Sequence, residues 1–251
     1  MSFKGISFSV ASDAAWAPGV ETREAWQVWA TQNYAFSEGV EPAVRAMPAM
    51  LRRRIGFLGK MALEVAYRCL DGRSNIPTVF CSRHGEVSRS VDLLSDLARG
   101  ELLSPTAFGM SVHNATGGLF SIARADQANN SALSAGKSTI EYAVIEACSL
   151  LAEGEPAVLL VAYDCPLPDI YAKYQDQEEQ PYAWAWLMQP PSENVITLEW
   201  ESVIDTENDE KKNHSSLDKS AGLEVLQFYL RNETEMRRAC GVRRWKWTRH
   251  A

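Results

Sequence analysis

An α/β layered domain, with helices on both faces of a largely parallel central sheet, is the fold class that three observations predict. Strand-like and helix-like segments alternate along the chain. The segment Thr139–Ala152 carries apolar residues at 140, 143, 144, 147, 148 and 151, a full i, i+3, i+4, i+7, i+8, i+11 stripe. After Gly154 comes Ala157–Tyr163 (AVLLVAY), a continuously apolar run of the kind a strand covered on both faces requires.

The elements follow in order. Residues 5–10 (GISFSV) read as a first strand. From about Glu41 to Leu70, Met47, Leu51, Ile55, Leu58, Ala62, Val65 and Cys69 recur near helical spacing, and Asp71-Gly72 supplies a stop. Pro77–Cys81 reads as a short strand. A helix with Val87, Val91, Leu94 and Ala98 on one face stops at Gly100. Beyond the stripe helix and its strand, Tyr182–Met188 and Val195–Trp200 read as two closing strands. The segment 204–216 is polar and reads as a loop. A last helix, about Leu217 to Met236, leads into the basic, tryptophan-containing tail RRWKWTRHA, so that 217–251 closes a single domain spanning 1–251.

Composition narrows the function. The chain has 251 residues, 46% apolar and 23% charged, which excludes disorder as the dominant state. A net charge of −7 argues against a dedicated nucleic-acid binder, which needs a basic face. No apolar run approaches the ~20 residues that cross a bilayer, and the start, MSFKGISFSVASD, is a poor secretory signal. Five widely spaced cysteines without a CxxC pair (Cys69, Cys81, Cys148, Cys165, Cys240) disfavour a disulfide framework or a zinc site and fit a reducing cytoplasm. No metal or cofactor is expected.

Four places could carry chemistry. Cys81-Ser82-Arg83-His84 follows a predicted strand, so a cysteine nucleophile with His84 or His113 as base is one reading; a buried strand-end cysteine before a polar turn is the more ordinary one. His113-Asn114 precede Gly117-Gly118, where small residues allow close packing and the polar pair can serve buried backbone. Ser134-Ala135-Gly136-Lys137-Ser138 has the Gly-Lys-Ser of a phosphate loop, but Ser131 stands where its first glycine belongs. The tail, with Trp245 and Trp247 among basic residues, reads as a packed or solvated terminus before it reads as a docking surface for an acidic partner.

Residues 104–163 resemble the segment of β-ketoacyl synthases around the active-site cysteine. Ser104-Pro105, His113-Asn114-Ala115, Gly117-Gly118 and Ser121-Ile122 are followed by a strand, a nucleophile turn at Ser131–Ala135, an amphipathic helix ending in Gly154 and a buried strand. The resemblance implies a thiolase-like half fold. Counting forward from Asn114 or back from Gly154 places the family's nucleophilic cysteine at Lys137. Cys148 lies well inside the helix and cannot take over that place at the helix N-terminus. The family's two catalytic histidines come from a second half that this chain does not match; His214 and His250 sit in no corresponding motif. Without nucleophile or histidines, acyl transfer and condensation lack their groups.

A cysteine-free synthase-like chain resembles chain-length factors, which pair with an active ketosynthase. His113-Asn114-Ala115, Ser134-Ala135-Gly136 and Tyr163–Pro168 are similar to the short form found in clusters for aryl polyene pigments. The resemblance implies a heterodimer with a β-ketoacyl synthase, and an acyl carrier protein served through the complex. It places the partner interface at Ser131, Ala132, Leu133, Ser134 and Ala135 and the acyl tunnel at Thr106, Ala107, Phe108 and Met110. The rival from another class is a stand-alone acyltransferase or hydrolase using Cys81. A third reading is a homodimeric acyl-binding protein.

Overall fold

The computed structural model describes residues 4–32, 34–37, 39–202 and 218–250. The elements are β1 (Lys4–Trp16), α1 (Arg23–Gln32), α2 (Ala49–Arg52), α3 (Phe57–Leu70), β2 (Thr78–Cys81), α4 (Val87–Ala98), α5 (Pro105–Gly109), α6 (Ala115–Arg124), β3 (Asn130–Leu133), α7 (Thr139–Ala152), β4 (Val158–Asp164), β5 (Tyr182–Gln189), β6 (Ile196–Ser202), α8 (Ala221–Leu230), β7 (Glu235–Cys240) and β8 (Arg243–Arg249). The polar loop 204–216 and His214 lie outside the described residues.

The strands form one sheet in the order β3-β2-β4-β5-β1-β6-β8-β7. Among the named strands of the described residues, only β3-β2-β4 pair in parallel; every other strand pairing is antiparallel. The expected largely parallel sheet is thus confined to the part served by helical crossovers. The parallel β2–β3 and β3–β4 links carry α4, α5 and α6 or α7, whereas β4 and β5 are joined by a loop with only a short 3-10 turn at Asp169–Tyr174. Without a crossover helix, adjacent strands run antiparallel.

Side-chain alternation splits the interior into two cores. Val79 and Cys81, Val158, Leu160 and Ala162, and Trp184 and Trp186 face α1, α7 and α8. Phe80, Leu159 and Val161, and Ala183 and Ala185 face α3 and α6. A bulge in β1 between Val10 and Ser12 shifts this alternation by one: Phe8 joins the first core, Trp16 the second. Fully buried Trp26, Trp29, Trp184, Trp186, Trp245 and Trp247 fill the first core, each such side chain removing roughly 150–250 Å² from water.

Three sequence expectations are corrected. The continuous helix over 41–70 is two pieces, because Pro48 and Gly56 each stand at a helix start with extended ψ; α3 does end at Asp71, in the left-handed region at φ 46. The final helix stops at Leu230 rather than Met236. The tail is a β-hairpin turning at Gly241, φ +52. In RRWKWTR the period-two alternation decides: Trp245 and Trp247 point inward while the intervening basic side chains point out. The bland reading of the tail, a packed terminus, is the one the structure bears out.

Candidate functional site

β3 runs into the turn 134–138, and α7 rises from it. Gly136, at φ +57, takes a backbone conformation L side chains avoid. Thr139 fixes the turn: its Oγ1 accepts from the Ala135 N–H at 2.9 Å and donates to the Gly136 carbonyl at 2.7 Å. Ser134 Oγ donates to the Arg83 carbonyl at 2.7 Å, tying the turn to the end of β2.

Lys137 lies in the short 3-10 turn Gly136–Ser138 that leads into α7. Its ammonium sits 2.9 Å from Asp218 Oδ2 and 3.7 Å from Asp176 Oδ2. Asp176 also accepts from Arg83 at 3.0 and 3.4 Å. Burial works to raise the Asp176 pKa, but the Arg83 hydrogen bonds and the Arg83 and Lys137 charges outweigh it and hold the carboxyl below its usual range. Arg238 from β7 reaches the Lys137 carbonyl at 3.4 Å, and Trp245 Nε1 donates to Ser138 Oγ at 3.0 Å. Arg238 further pairs with fully buried Glu141 in the first turn of α7 and with Glu224 of α8.

Cys81 is poorly placed for the rival nucleophile role. It is fully buried, and burial, with Asp164 and Glu141 nearby, pushes its thiol well above the ordinary value. His84 faces Glu179 at 3.3 Å, and His113 Nε2 meets the Leu133 carbonyl at 3.1 Å. The rival cysteine enzyme is therefore set aside. The turn after Cys81 is a polar support: Ser82 Oγ donates to Asp164 Oδ1 at 2.8 Å and accepts the Gly85 N–H, while the Arg83 N–H donates to the same carboxylate at 2.9 Å. Cys148 is buried with its thiol pushed up to about 12 by desolvation.

His113 and Gly117 have packing roles. A Cβ on Gly85 would lie 2.6 Å from His113 Nδ1, so that ring wedges between the β2 turn and the end of β3. A Cβ on Gly117 would lie 2.5 Å from Asn130 Oδ1, and Asn130 Nδ2 donates to the Gly117 carbonyl at 3.0 Å, so α6 seats closely on β3. A Cβ on Gly118 would meet nothing within 4 Å, and Asn114 makes no side-chain cap at the start of α6.

The four tunnel candidates separate. Ser104 caps α5 by accepting the Ala107 N–H at 3.2 Å, with Pro105 in the first turn. Ala107 lines a cavity of about 450 Å³ whose wall mixes apolar Phe57, Leu58 and Leu93 with charged Glu86, Arg89 and Asp92. Met110 is buried against α3 and α6, whereas Thr106 is exposed and Phe108 is 63% exposed. Ser131, Ala132 and Leu133 lie half-buried on β3, paired on one side only among the described residues, with Ser134 exposed and Ala135 half-buried beyond them. Sequence reading missed Asp176, Asp218, Arg238 and Glu141. Glu141 flanks an apolar stripe, but nothing local pairs it with an arginine 97 positions away.

A turn without cysteine joins β3 to α7 on a thiolase-like sheet, and that fold defines the class. The chain belongs to the β-ketoacyl synthase family: the model of its N-terminal domain matches residues 26–248. The fold also matches a structure described as the ketosynthase ApeO in complex with its chain length factor ApeC from Xenorhabdus doucetiae. There the identity is 26% and the TM-score 0.81, over 97% of this chain and 100% of that one. More distant likenesses bear on fold alone. The ishigamide ketosynthase/chain length factor is 12% identical with a TM-score of 0.57, over 80% of this chain and 69% of that one. A β-ketoacyl synthase from Burkholderia phymatum is 11% identical with a TM-score of 0.58, over 78% and 64%. No curated protein matches in sequence. The resemblance read from residues 104–163 thus extends to nearly the whole chain.

Proposed function

We propose that this chain is a non-catalytic, chain-length-factor-like subunit. It pairs with a β-ketoacyl synthase in fatty-acid- or polyketide-like biosynthesis of the aryl polyene type, in the cytoplasm. The observation that carries the reading is Lys137. At the helix end where the family's nucleophile belongs stands a cation neutralised by Asp218 and Asp176. An ammonium so engaged offers no lone pair to a thioester, and Cys81 is too deeply buried to replace it.

Partner binding is supported by two surfaces. Among the described residues, β3 leaves one edge of the sheet unpaired. Six exposed large apolar side chains, Leu94, Leu97, Leu102, Leu103, Phe108 and Val112, fall within residues 94–112. The face of α4 that reads as a core stripe, Val87, Val91, Leu94 and Ala98, is only half-buried or exposed. In the proposed complex, Ser131–Ala135 meet the synthase, and Thr106, Ala107, Phe108 and Met110 contribute to the acyl tunnel wall, with the cavity beside Ala107 as its nearest free space. A carrier protein delivers acyl groups to the complex as a whole.

The test is reconstitution. The purified chain, its Lys137→Cys variant and the chain combined with a neighbouring synthase are each assayed with acyl- and malonyl-carrier proteins. Condensation is expected only in the mixture, because a restored thiol still lacks the two histidines. Turnover by the chain alone overturns the reading.

A further inference from the structure

The turn at 136–138 is engaged through Lys137 and Ser138, and their partners come from far along the chain. Besides the Lys137 pairs, Gln177 and Asp218 form an isolated parallel bridge, and the Glu178 N–H donates to the Asp218 carbonyl at 2.6 Å. Gln177 is buried. Asp218 meets Lys137 through its side chain and the 177–178 segment through its backbone, so one residue ties two segments together.

Electrostatics make this arrangement informative. The N-terminus of a helix carries partial positive charge, and a lysine just before α7 adds to it. Asp218 and Asp176 supply the compensating negative charge, and Arg83 shares Asp176. A neutral residue at 137 would have avoided the conflict; a lysine earns its place only through its carboxylate partners.

We propose that the turn before α7 acts as an electrostatic latch, in which Lys137 clamps the 175–178 loop and Asp218, on the segment leading into α8, onto the N-terminus of α7. Lys137 is a positioning residue in this role. The inference rests on the geometry of the turn and goes beyond the absence of catalysis: an inactive subunit needs no latch.

Two readouts on the full-length chain test it. The first is acetylation by an N-hydroxysuccinimide ester, followed site by site by mass spectrometry. Wild-type Lys137 is expected to label slowly relative to exposed Lys173, and Asp218→Asn to raise its labelling about three- to fivefold, as loss of an ion pair with one exposed partner allows. The second is hydrogen–deuterium exchange of the Glu178 amide. Exchange is expected to quicken by a similar factor in Lys137→Met and Asp218→Asn and to return to the wild-type rate in Lys137→Arg. Salt should reproduce the effect in the wild type but not in Lys137→Met, as screening lengths shrink from ~10 Å at 0.1 M to ~3 Å at 1 M. Wild-type Lys137 labelling as fast as Lys173, or Glu178 exchange indifferent to both substitutions, overturns the latch. Condensation assays are untouched by either outcome, so failure here is distinct from failure of the proposed function.

Discussion

The two edges of the sheet are built on opposite rules. β7 is six residues long, and Glu235 and Arg237 on its exposed positions carry charge. Arg238 turns inward to Glu141 and Glu224 and anchors the hairpin to α7 and α8. β3 is four residues long, Asn-Ser-Ala-Leu, without a charged side chain, and three of the four are half-buried. Charges on an edge strand deter pairing with another chain, and a neutral edge of small residues invites it. The contrast teaches that an unpaired edge can be guarded or left open within one sheet. In the chain, the exposed apolar side chains of 94–112 precede β3 with α6 between them.

The comparison can be broken most sharply at the guarded edge. Arg238→Ala strands Glu141, which is wholly buried in the first turn of α7. Removing one partner of a buried pair costs about 3–5 kcal/mol, to be read from the denaturation midpoint. Replacing both, as Glu141→Leu with Arg238→Met, should recover most of that loss; a single variant as stable as wild type would mean the hairpin is held by its tryptophans alone.

At the open edge, Ala132→Lys installs the kind of charge that guards β7. Because Ala132 is only half-buried, the isolated chain should lose under about 1 kcal/mol. Binding to the synthase should weaken by about tenfold or more, measured by titration calorimetry. Unchanged affinity would remove β3 from the interface.

Substitutions at 107 and 108 sharpen the role of the neighbouring apolar run. Phe108→Ala should lengthen the products of the reconstituted complex, and Ala107→Phe should shorten them by filling the cavity beside it. Phe108 is 63% exposed, so its truncation should cost the free chain far less than the ~3–5 kcal/mol of a packed aromatic. Mass analysis that shows lower yield at fixed length in both variants would put the tunnel wall elsewhere.

The smallest effect lies beneath the end of β2 that supports β3. Asp164 is buried, and desolvation raises its pKa despite hydrogen bonds from Ser82 and Arg83. The folded chain then holds a proton that the unfolded chain, with Asp near ~3.9, gives up. Stability from this group is complete below that value and is lost as pH rises through the folded pKa. Asp164→Asn should therefore show a flatter melting temperature from about pH 4 upward than the wild type. Parallel curves would place the proton elsewhere.

Much of the fold is legible locally because local physics decides it. The stripe of α7, the apolar run of β4 and the Ser104-Pro105 start of α5 each carry their own signal, and the structure places α7 at Thr139–Ala152, as its spacing predicts. The hairpin at the terminus was equally legible from the alternation of RRWKWTR, but composition masked the period. Helix α6 was less so: its Ala-Thr-Gly-Gly start has weak intrinsic propensity, and the close seat of Gly117 on Asn130 supplies what the sequence lacks.

The sequence by itself determined that Lys137 occupies the turn before the strongest helix and that no cysteine stands there, because register along one chain follows from counting. Tertiary structure decided what that lysine does. Asp176 is 39 positions ahead and Asp218 81 positions ahead, and no local pattern announces either. The same holds for the direction of the strands and for which edge stays open. Pairing depends on which segments meet after the chain has closed, and a charge has no partner until folding brings one within a few ångströms.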